Sequence, residues 1–306
     1  MTRATAPRRE RRLIDGLLLL DKSRGYTSNK ALQETKRLLE ASKAGHTGSL
    51  DPMATGLLPL CFGEATKLSQ FLLNAEKRYR SVFRLGVTTT TLDADGAVLQ
   101  TRPVAVERRT LERTLAQFRG EIEQVPPMYS ALKQAGRPLY ELARAGIEVA
   151  RAPRRVTIHE LELLSFEGDR LEVEILCSKG TYIRTLASDL GERLGCGAHV
   201  AELRRLSVGT LTLERAVTLE ALQALPDAAA RAACLVHADA VLGAIPDVHL
   251  TSLATHYLLR GQSVSARHSH APGWVRLYDE DNRFLGMGQV LDDGRVAPRR
   301  LIAQKL

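Results

Sequence analysis

The chain lacks the features that mark several large protein classes. Its four cysteines, at 61, 177, 196 and 234, form no Cys-x-x-Cys pair and no metal-ligand spacing. Buried, reduced thiols are therefore expected, and neither a disulfide scaffold nor a zinc module. No apolar run approaches the roughly eighteen residues of a membrane span. The Arg-rich start is not followed by an apolar signal core, because the short run at 17–20 ends at Asp21-Lys22. A cytoplasmic, soluble protein is expected. Gly-rich phosphate loops are missing too. Gly286-Met287-Gly288 and Gly195-Cys196-Gly197 each begin a Gly-x-Gly-x-x-Gly pattern, but Leu291 and Val200 occupy the third glycine positions. No Gly-x4-Gly-Lys-Ser/Thr loop occurs, so no nucleotide cofactor is encoded recognisably. No internal repeat is apparent.

What the chain has in excess is positive charge. Of 306 residues, 43 are Lys or Arg and 35 are Asp or Glu, a net of +8. The excess is concentrated. Residues 1–12 hold five arginines against Glu10, and residues 124–155 hold six basic residues against Glu141 and Glu148. These two segments account for the whole imbalance. Concentrated positive charge suits a polyphosphate partner, because neutralised phosphates release condensed counterions; a solvated basic face reads the same way in composition alone.

Chemistry concentrates in Gly45-His46-Thr47-Gly48-Ser49-Leu50-Asp51-Pro52-Met53-Ala54-Thr55-Gly56. A carboxylate held on a tight loop serves as a metal ligand, a base or a nucleophile, or merely bonds turn amides ahead of a proline. Asp51 has no second Asp or Glu within ten residues on either side, so the paired carboxylates of a glycosidase are not encoded locally. One histidine, His46, does not complete a metal site. The stretch leaves a lone carboxylate among turn formers.

Periodicity organises the rest. Residues 16–20 read as a buried strand, followed by a turn and a helix over 29–40 capped by Ser28 or Asn29. Strands are expected at 78–87 and 96–100, flanking a long hairpin with a turn at Asp93-Ala94-Asp95-Gly96, then a short helix at 110–118. Segment 125–153, interrupted by Pro126-Pro127, Gly136, Pro138, Gly146 and Pro153, reads as an inserted, partly mobile lobe. Strands resume at 156–166 and 171–177. A helix follows at 182–194, where Ile183, Leu186, Leu190 and Leu194 form one stripe. Ala-rich 221–244 reads as helical and connecting. From about residue 247 the texture changes to one helix (252–260) and short strands at 275–279, 284–290 and 296–301, which suggests a small barrel.

The run from Gly45 to Gly56, continued by Leu57-Leu58-Pro59-Leu60-Cys61-Phe62-Gly63-Glu64-Ala65-Thr66-Lys67, closely resembles bacterial tRNA pseudouridine(55) synthases of the TruB type. So do Leu17-Leu18-Leu19-Leu20-Asp21-Lys22, Lys77-Arg78-Tyr79, Lys179-Gly180-Thr181-Tyr182-Ile183-Arg184 and Leu203-Arg204-Arg205, all in register. Ser23 stands where many members have proline, which bears on one turn and not on chemistry. The resemblance implies an α+β fold: a catalytic domain with a mixed, largely antiparallel sheet over 13–245, and a PUA-like RNA-binding β-barrel over 247–306. It also casts residues 1–12 as a flexible basic tail and 125–153 as an RNA-binding insert.

The resemblance assigns Asp51 as catalytic nucleophile and places Arg184 beside it, where a guanidinium favours the ionised carboxylate. Tyr79 would stack on an extruded uracil, Tyr182 would pack near ribose and base, and Leu203 would wall the pocket. An aromatic plane replaces part of the stacking lost on flipping, about 1–3 kcal/mol per base. His46 is implied to contact RNA, Lys22 and Lys67 to contact RNA or support the site, and Lys133, Arg137 and Arg144 to contact phosphates. The implied reaction is isomerisation of uridine 55 in the tRNA T-loop, with Asp51 either attacking C1′ or removing a proton to give a glycal. Atoms are conserved, so neither cofactor nor metal is expected. The partner is the T-arm of tRNA, bound by a monomer with no obligatory protein partner. Three rivals remain: a tRNA folding factor in which chemistry is secondary, a guide-RNA-dependent relative, and, distantly, a retaining glycosidase.

Overall fold

The computed structural model describes residues 12–267 and 269–302. The proposed basic tail, Arg12 excepted, lies outside them. The four leucines at 17–20 give a strand with no polar face, and such a strand needs cover on both sides. In the strand Gly16–Lys22, Leu18 and Leu20 enter one apolar cluster while Leu17 and Leu19 enter another. Alternation thus divides the run between two cores.

This strand belongs to a ten-stranded mixed sheet. Pairing runs from Val217–Thr218 through Gly16–Lys22, Thr55–Phe62, Ala198–Val208, Lys77–Leu85, Arg170–Cys177 and Arg154–Glu167 to Gly120–Gln124. Neighbours are antiparallel except Val217–Thr218 with Gly16–Lys22, and Ala198–Val208 with Thr55–Phe62. The largely antiparallel α+β sheet is the expected one. Two central strands, Thr55–Phe62 and Ala198–Val208, have no counterpart in the periodicity reading. Thr55–Phe62 is buried almost end to end, so its apolar run carries no period-2 signature.

Other differences are local. The strand expected at 78–87 stops at Leu85, because Gly86 turns the chain at φ 82°. Val87–Thr89 then pairs with Val98–Thr101 in a separate two-stranded hairpin, so the long hairpin expected across 78–100 does not form. The first helix spans Ser28–Leu38, and its cap is Thr27, not Ser28 or Asn29. Thr27 accepts the Lys30 N–H, while the Ser28 hydroxyl is committed to the Leu50 peptide. The Pro/Gly-rich insert holds no strand of the large sheet. It contains a hairpin of Lys133–Gln134 with Arg137–Pro138 and a one-and-a-half-turn helix, Leu139–Arg144, pinned by buried Leu139 and Leu142. The helix Ile183–Arg193 lies where expected. The Ala-rich connector divides into Leu219–Ala224, Ala228–Ala232 and a 3-10 turn, Ala238–Val241.

The C-terminal unit carries the helix Ser252–Leu259 and a four-stranded sheet in the order Asp247–His249, Gly273–Tyr278, Phe284–Val290, Val296–Leu301. Among the described residues the expected barrel is not closed: its outer strands do not pair with each other. Four strands, one of them three residues long, cannot curl far enough to meet. Its Tyr278, Phe284 and Met287 share a cluster with Leu17, Leu19, Leu57 and Leu68, so this unit covers the second face of the large sheet. Phe71 and Trp274 meet edge-to-face across the seam at 5.1 Å. Among the described residues no helix is long and apolar enough to cross a membrane.

Candidate active site

The Asp51 loop is held from several directions. Ser28 Oγ accepts the Leu50 N–H at 2.7 Å and donates to the Leu50 carbonyl at 3.1 Å. The Gly25 N–H donates to the Pro52 carbonyl at 2.8 Å. From below, the fully buried Arg205 donates to the carbonyls of Leu57 (2.7 Å) and Gly48 (3.3 Å). A turn this constrained presents its carboxylate in one place.

Arg184, on the first turn of the helix Ile183–Arg193, grips that carboxylate at both oxygens. Its Nε lies 2.9 Å from Asp51 Oδ2 and its Nη2 3.1 Å from Oδ1. The guanidinium is fixed in turn by the carbonyls of Thr91 (3.0 Å) and Tyr129 (2.8 Å), and Asp93 Oδ2 stands 3.5 Å from Nη1. Arg184 and Asp93 are each only 6% exposed at the side chain, whereas Asp51 is 37% exposed. One face of the carboxylate is thus open while its charge partner is sealed.

The electrostatics follow from that enclosure. Burial pushes the Asp51 carboxyl above its ordinary range, Asp93 adds to the rise, and Arg184 and Lys22 oppose it. Burial brings the Lys22 ammonium down to about 8. It also raises the phenols of Tyr79 and Tyr182 and, helped by Arg205, lowers the His46 imidazole.

The other predicted residues fall into three groups. Tyr79 and Leu203 sit on adjacent strands and join the apolar cluster of Leu50 and Met53; Tyr182 caps the helix that carries Arg184. His46 lies half-buried on the short strand Ala44–His46, its Nδ1 enclosed without a partner. Lys22 is 1% exposed and donates to the carbonyls of Ser23 and Tyr26, so it braces the loop wall and offers no free ammonium. Lys67 belongs to the C-terminal seam, bonded to Glu64 and to the Leu301 carbonyl at 2.9 Å. Lys133, Arg137 and Arg144 are exposed on the insert, which touches the site through Tyr129.

Asp93 and Gln124 went unread in the sequence. Asp93 looked like a turn residue, and no local pattern links it to Arg184, 91 positions away. Among the described residues no cluster of His, Cys, Asp and Glu is placed to hold a metal. A carboxylate fixed by a guanidinium, open on one face and walled by apolar and aromatic groups, is equipped in its ionised form to attack an electrophilic carbon or remove an adjacent proton.

Comparison with known proteins places the chain among pseudouridine synthases. The profile of the TruB family pseudouridylate synthase N-terminal domain matches residues 36–183. Those of the tRNA pseudouridylate synthase B C-terminal domain and the pseudouridine synthase II TruB C-terminal domain match 184–239 and 246–302. The tRNA pseudouridine synthase B of Stutzerimonas stutzeri is 58% identical over 298 residues, 96% of this chain and 98% of the relative. That of Aromatoleum aromaticum is 56% identical over 296 residues, 97% and 95% of the two chains. In fold, a chain of a Cbf5–Nop10–Gar1 complex superposes with a TM-score of 0.72 at 25% identity, covering 95% of this chain and 84% of that one. A chain of an H/ACA RNP bound to a substrate RNA containing 2′-deoxyuridine gives 0.71 at 22% identity, with 94% and 85% covered.

Proposed function

This chain belongs to the TruB family of pseudouridylate synthases, and we propose that, as a tRNA pseudouridine synthase, it isomerises uridine 55 of the T-loop. The observation that carries the mechanism is the Asp51–Arg184 pair, two-pronged, sealed on the arginine side and open on the carboxylate side. The reaction breaks the N1–C1′ bond, turns the uracil, joins C5 to C1′, releases the C5 proton and leaves a proton on N1. Atoms balance without a cofactor.

The target base has to leave the T-loop stack to reach Asp51. In this reading Tyr79 stacks on the flipped uracil, Tyr182 and Leu203 wall the ribose and exclude water, and His46 meets the RNA beside the vacated position. Asp51 then attacks C1′ or takes a ribose proton to give a glycal; both routes need it ionised. Arg184 supplies the opposing charge that keeps it so at neutral pH, against the burial that raises its pKa. Lys22 supports the loop from within. Lys133, Arg137 and Arg144 hold phosphates of the T-arm. We read residues 13–245 as the catalytic domain and 247–306 as an RNA-binding domain. The exposed basic insert supports RNA binding without a protein partner, and we read the protein as a cytoplasmic monomer.

The test is an unmodified tRNA transcript tritiated at uridine C5. Wild-type protein releases a single tritium per tRNA; Asp51→Asn releases none yet still binds the transcript. No release by the wild type, with tight binding intact, would sink the isomerase reading and leave a tRNA folding factor.

A further inference from the structure

At the root of the insert, one buried side chain faces the segment that carries Arg184. Gln124 is the last residue of the strand Gly120–Gln124, and its backbone pairs with Arg154, the first residue of the returning strand. The insert therefore leaves and rejoins the sheet at this pair. The Gln124 side chain does not point to solvent: the residue is 2% exposed. Its carboxamide brackets the backbone of one residue of the opposite segment. Oε1 accepts the Tyr182 N–H at 3.0 Å, and Nε2 donates to the Tyr182 carbonyl at 3.2 Å. Only this orientation of the amide satisfies both groups.

Tyr182 occupies a position that needs such help. It is the N-cap of the helix Ile183–Arg193, yet no side chain caps that helix end. Without Gln124 the Tyr182 N–H, one of the unpaired donors of a helix start, would lose its partner. Its carbonyl accepts the Leu186 N–H at 3.0 Å as well as Gln124, so the clamp and the first helical bond share one oxygen. Two residues further on, Arg184 makes its two bonds to Asp51, and one of the same nitrogens donates to the Tyr129 carbonyl on the insert. The insert thus reaches the arginine twice: through its own backbone at Tyr129, and through Gln124 at the helix start.

We propose that Gln124 is a positioning residue for the isomerisation: its carboxamide fixes the Tyr182 peptide, and with it the angle at which Arg184 meets Asp51. The insert that binds RNA is by this route part of the apparatus that sets the carboxylate. Gln124 touches neither substrate nor Asp51; it acts through Tyr182. The inference rests on the isomerase reading above.

A role in positioning and a role in mere stability separate by pH. Asp51 faces Arg184 from the helix, Asp93 from the loop after Val87–Thr89, and Lys22 from the strand Gly16–Lys22. Of these, Arg184 exerts the strongest pull towards the ionised form. Loosening Arg184 raises the pKa of Asp51 further, so the acid limb of the rate profile moves to higher pH.

The experiment is single-turnover pseudouridine formation at saturating tRNA across pH 5–9, with wild type, Gln124→Met and Gln124→Glu. Methionine keeps the shape and removes both bonds. Glutamate keeps the acceptor and sets a carboxylate against the Tyr182 carbonyl. The expected result is a rate at pH 7 lower by about 10- to 100-fold, the range that small misplacements of a reacting group produce. The acid limb moves up, while tRNA affinity stays within about twofold, because phosphate contacts dominate affinity. Should Gln124→Met fail to fold, Gln124→Glu carries the same test. An unchanged rate, or a loss matched by lost tRNA affinity with the acid limb unmoved, would overturn the proposal. An inactive wild type would overturn the isomerase reading instead, and is read separately in the same assay.

Discussion

At the scale of single residues, the central device is a carboxylate whose charge burial makes costly, held by an arginine sealed behind it. Asp51 is pushed towards protonation by burial and by Asp93; the guanidinium fork of Arg184 pulls the other way. Arg184→Lys keeps the charge and loses the two-pronged geometry. The expected outcome is a rate lower by about 100-fold at pH 7. The sign of the pH effect follows from the same balance. With the fork gone the Asp51 pKa rises further, so the loss is larger at pH 6 than at pH 8. A pH–rate profile of the variant checks both statements. For stability the sign is opposite. A carboxyl whose folded pKa lies above its unfolded one favours the fold when protonated, and that contribution is lost as pH rises through the folded pKa. Asp51→Asn should therefore abolish turnover, and its melting temperature relative to wild type should rise as pH rises from 5 to 8, a comparison that thermal unfolding makes directly.

At the scale of elements, the site depends on a close approach between two parallel strands. Gly56 opens Thr55–Phe62 at φ 99°, directly opposite Arg205 on Ala198–Val208. A Cβ there would lie 2.2 Å from the Arg205 carbonyl oxygen, a distance that backbone must move to relieve. Left-handed strain and overpacking each cost on the order of 1–3 kcal/mol. Gly56→Ala is accordingly expected to destabilise the protein by about 2–5 kcal/mol, read as a lower urea midpoint. It should also lower the rate, because Arg205 carries the bonds that hold Gly48 and the Asp51 loop. The strands themselves were unevenly legible. Arg170–Cys177 alternates cleanly, with Leu171, Val173, Ile175 and Cys177 buried, and its period is visible. Thr55–Phe62 is covered on both faces, so its composition alone does not separate strand from buried helix.

At the scale of the whole molecule, charge and apolar surface divide the work. The exposed bases of the insert, Lys133, Arg137 and Arg144, lie on a lobe attached to the active site at Gln124 and Tyr129. Replacing all three by alanine should weaken tRNA binding and flatten its salt dependence. Each lost phosphate contact removes a little under one unit from the slope of log K against log salt. Filter binding at several salt concentrations tests this; a slope equal to wild type would exclude these residues from the RNA footprint. The seam with the C-terminal unit is built differently, from Leu17, Leu19, Leu57, Tyr278, Phe284 and Met287, with Lys67 tying the edge to Leu301. Lys67, expected from the family motif to contact RNA or support the site, bonds Glu64 and the Leu301 carbonyl at the seam. A motif places residues along the chain and does not say which side of the sheet they face.

The sequence by itself determined what depends on residue type and short range. The reactive carboxylate sits among turn formers, the insert is marked by proline and glycine, and the amphipathic stripe of Ile183–Arg193 follows from its spacing. The α+β arrangement followed from the family resemblance, since periodicity gave element types and not their pairing. Tertiary structure alone decided which distant groups share the carboxylate. Asp93 and Gln124 reach Arg184 and Tyr182 across 91 and 58 positions, and nothing in their local pattern marks them. Tertiary structure also decided that the C-terminal sheet stays open and that Thr27 is the helix cap. The physical reason is common to all of these. A polar side chain has several partners within reach of its chemistry, and only the packed chain, by excluding water from the others, fixes which one it takes.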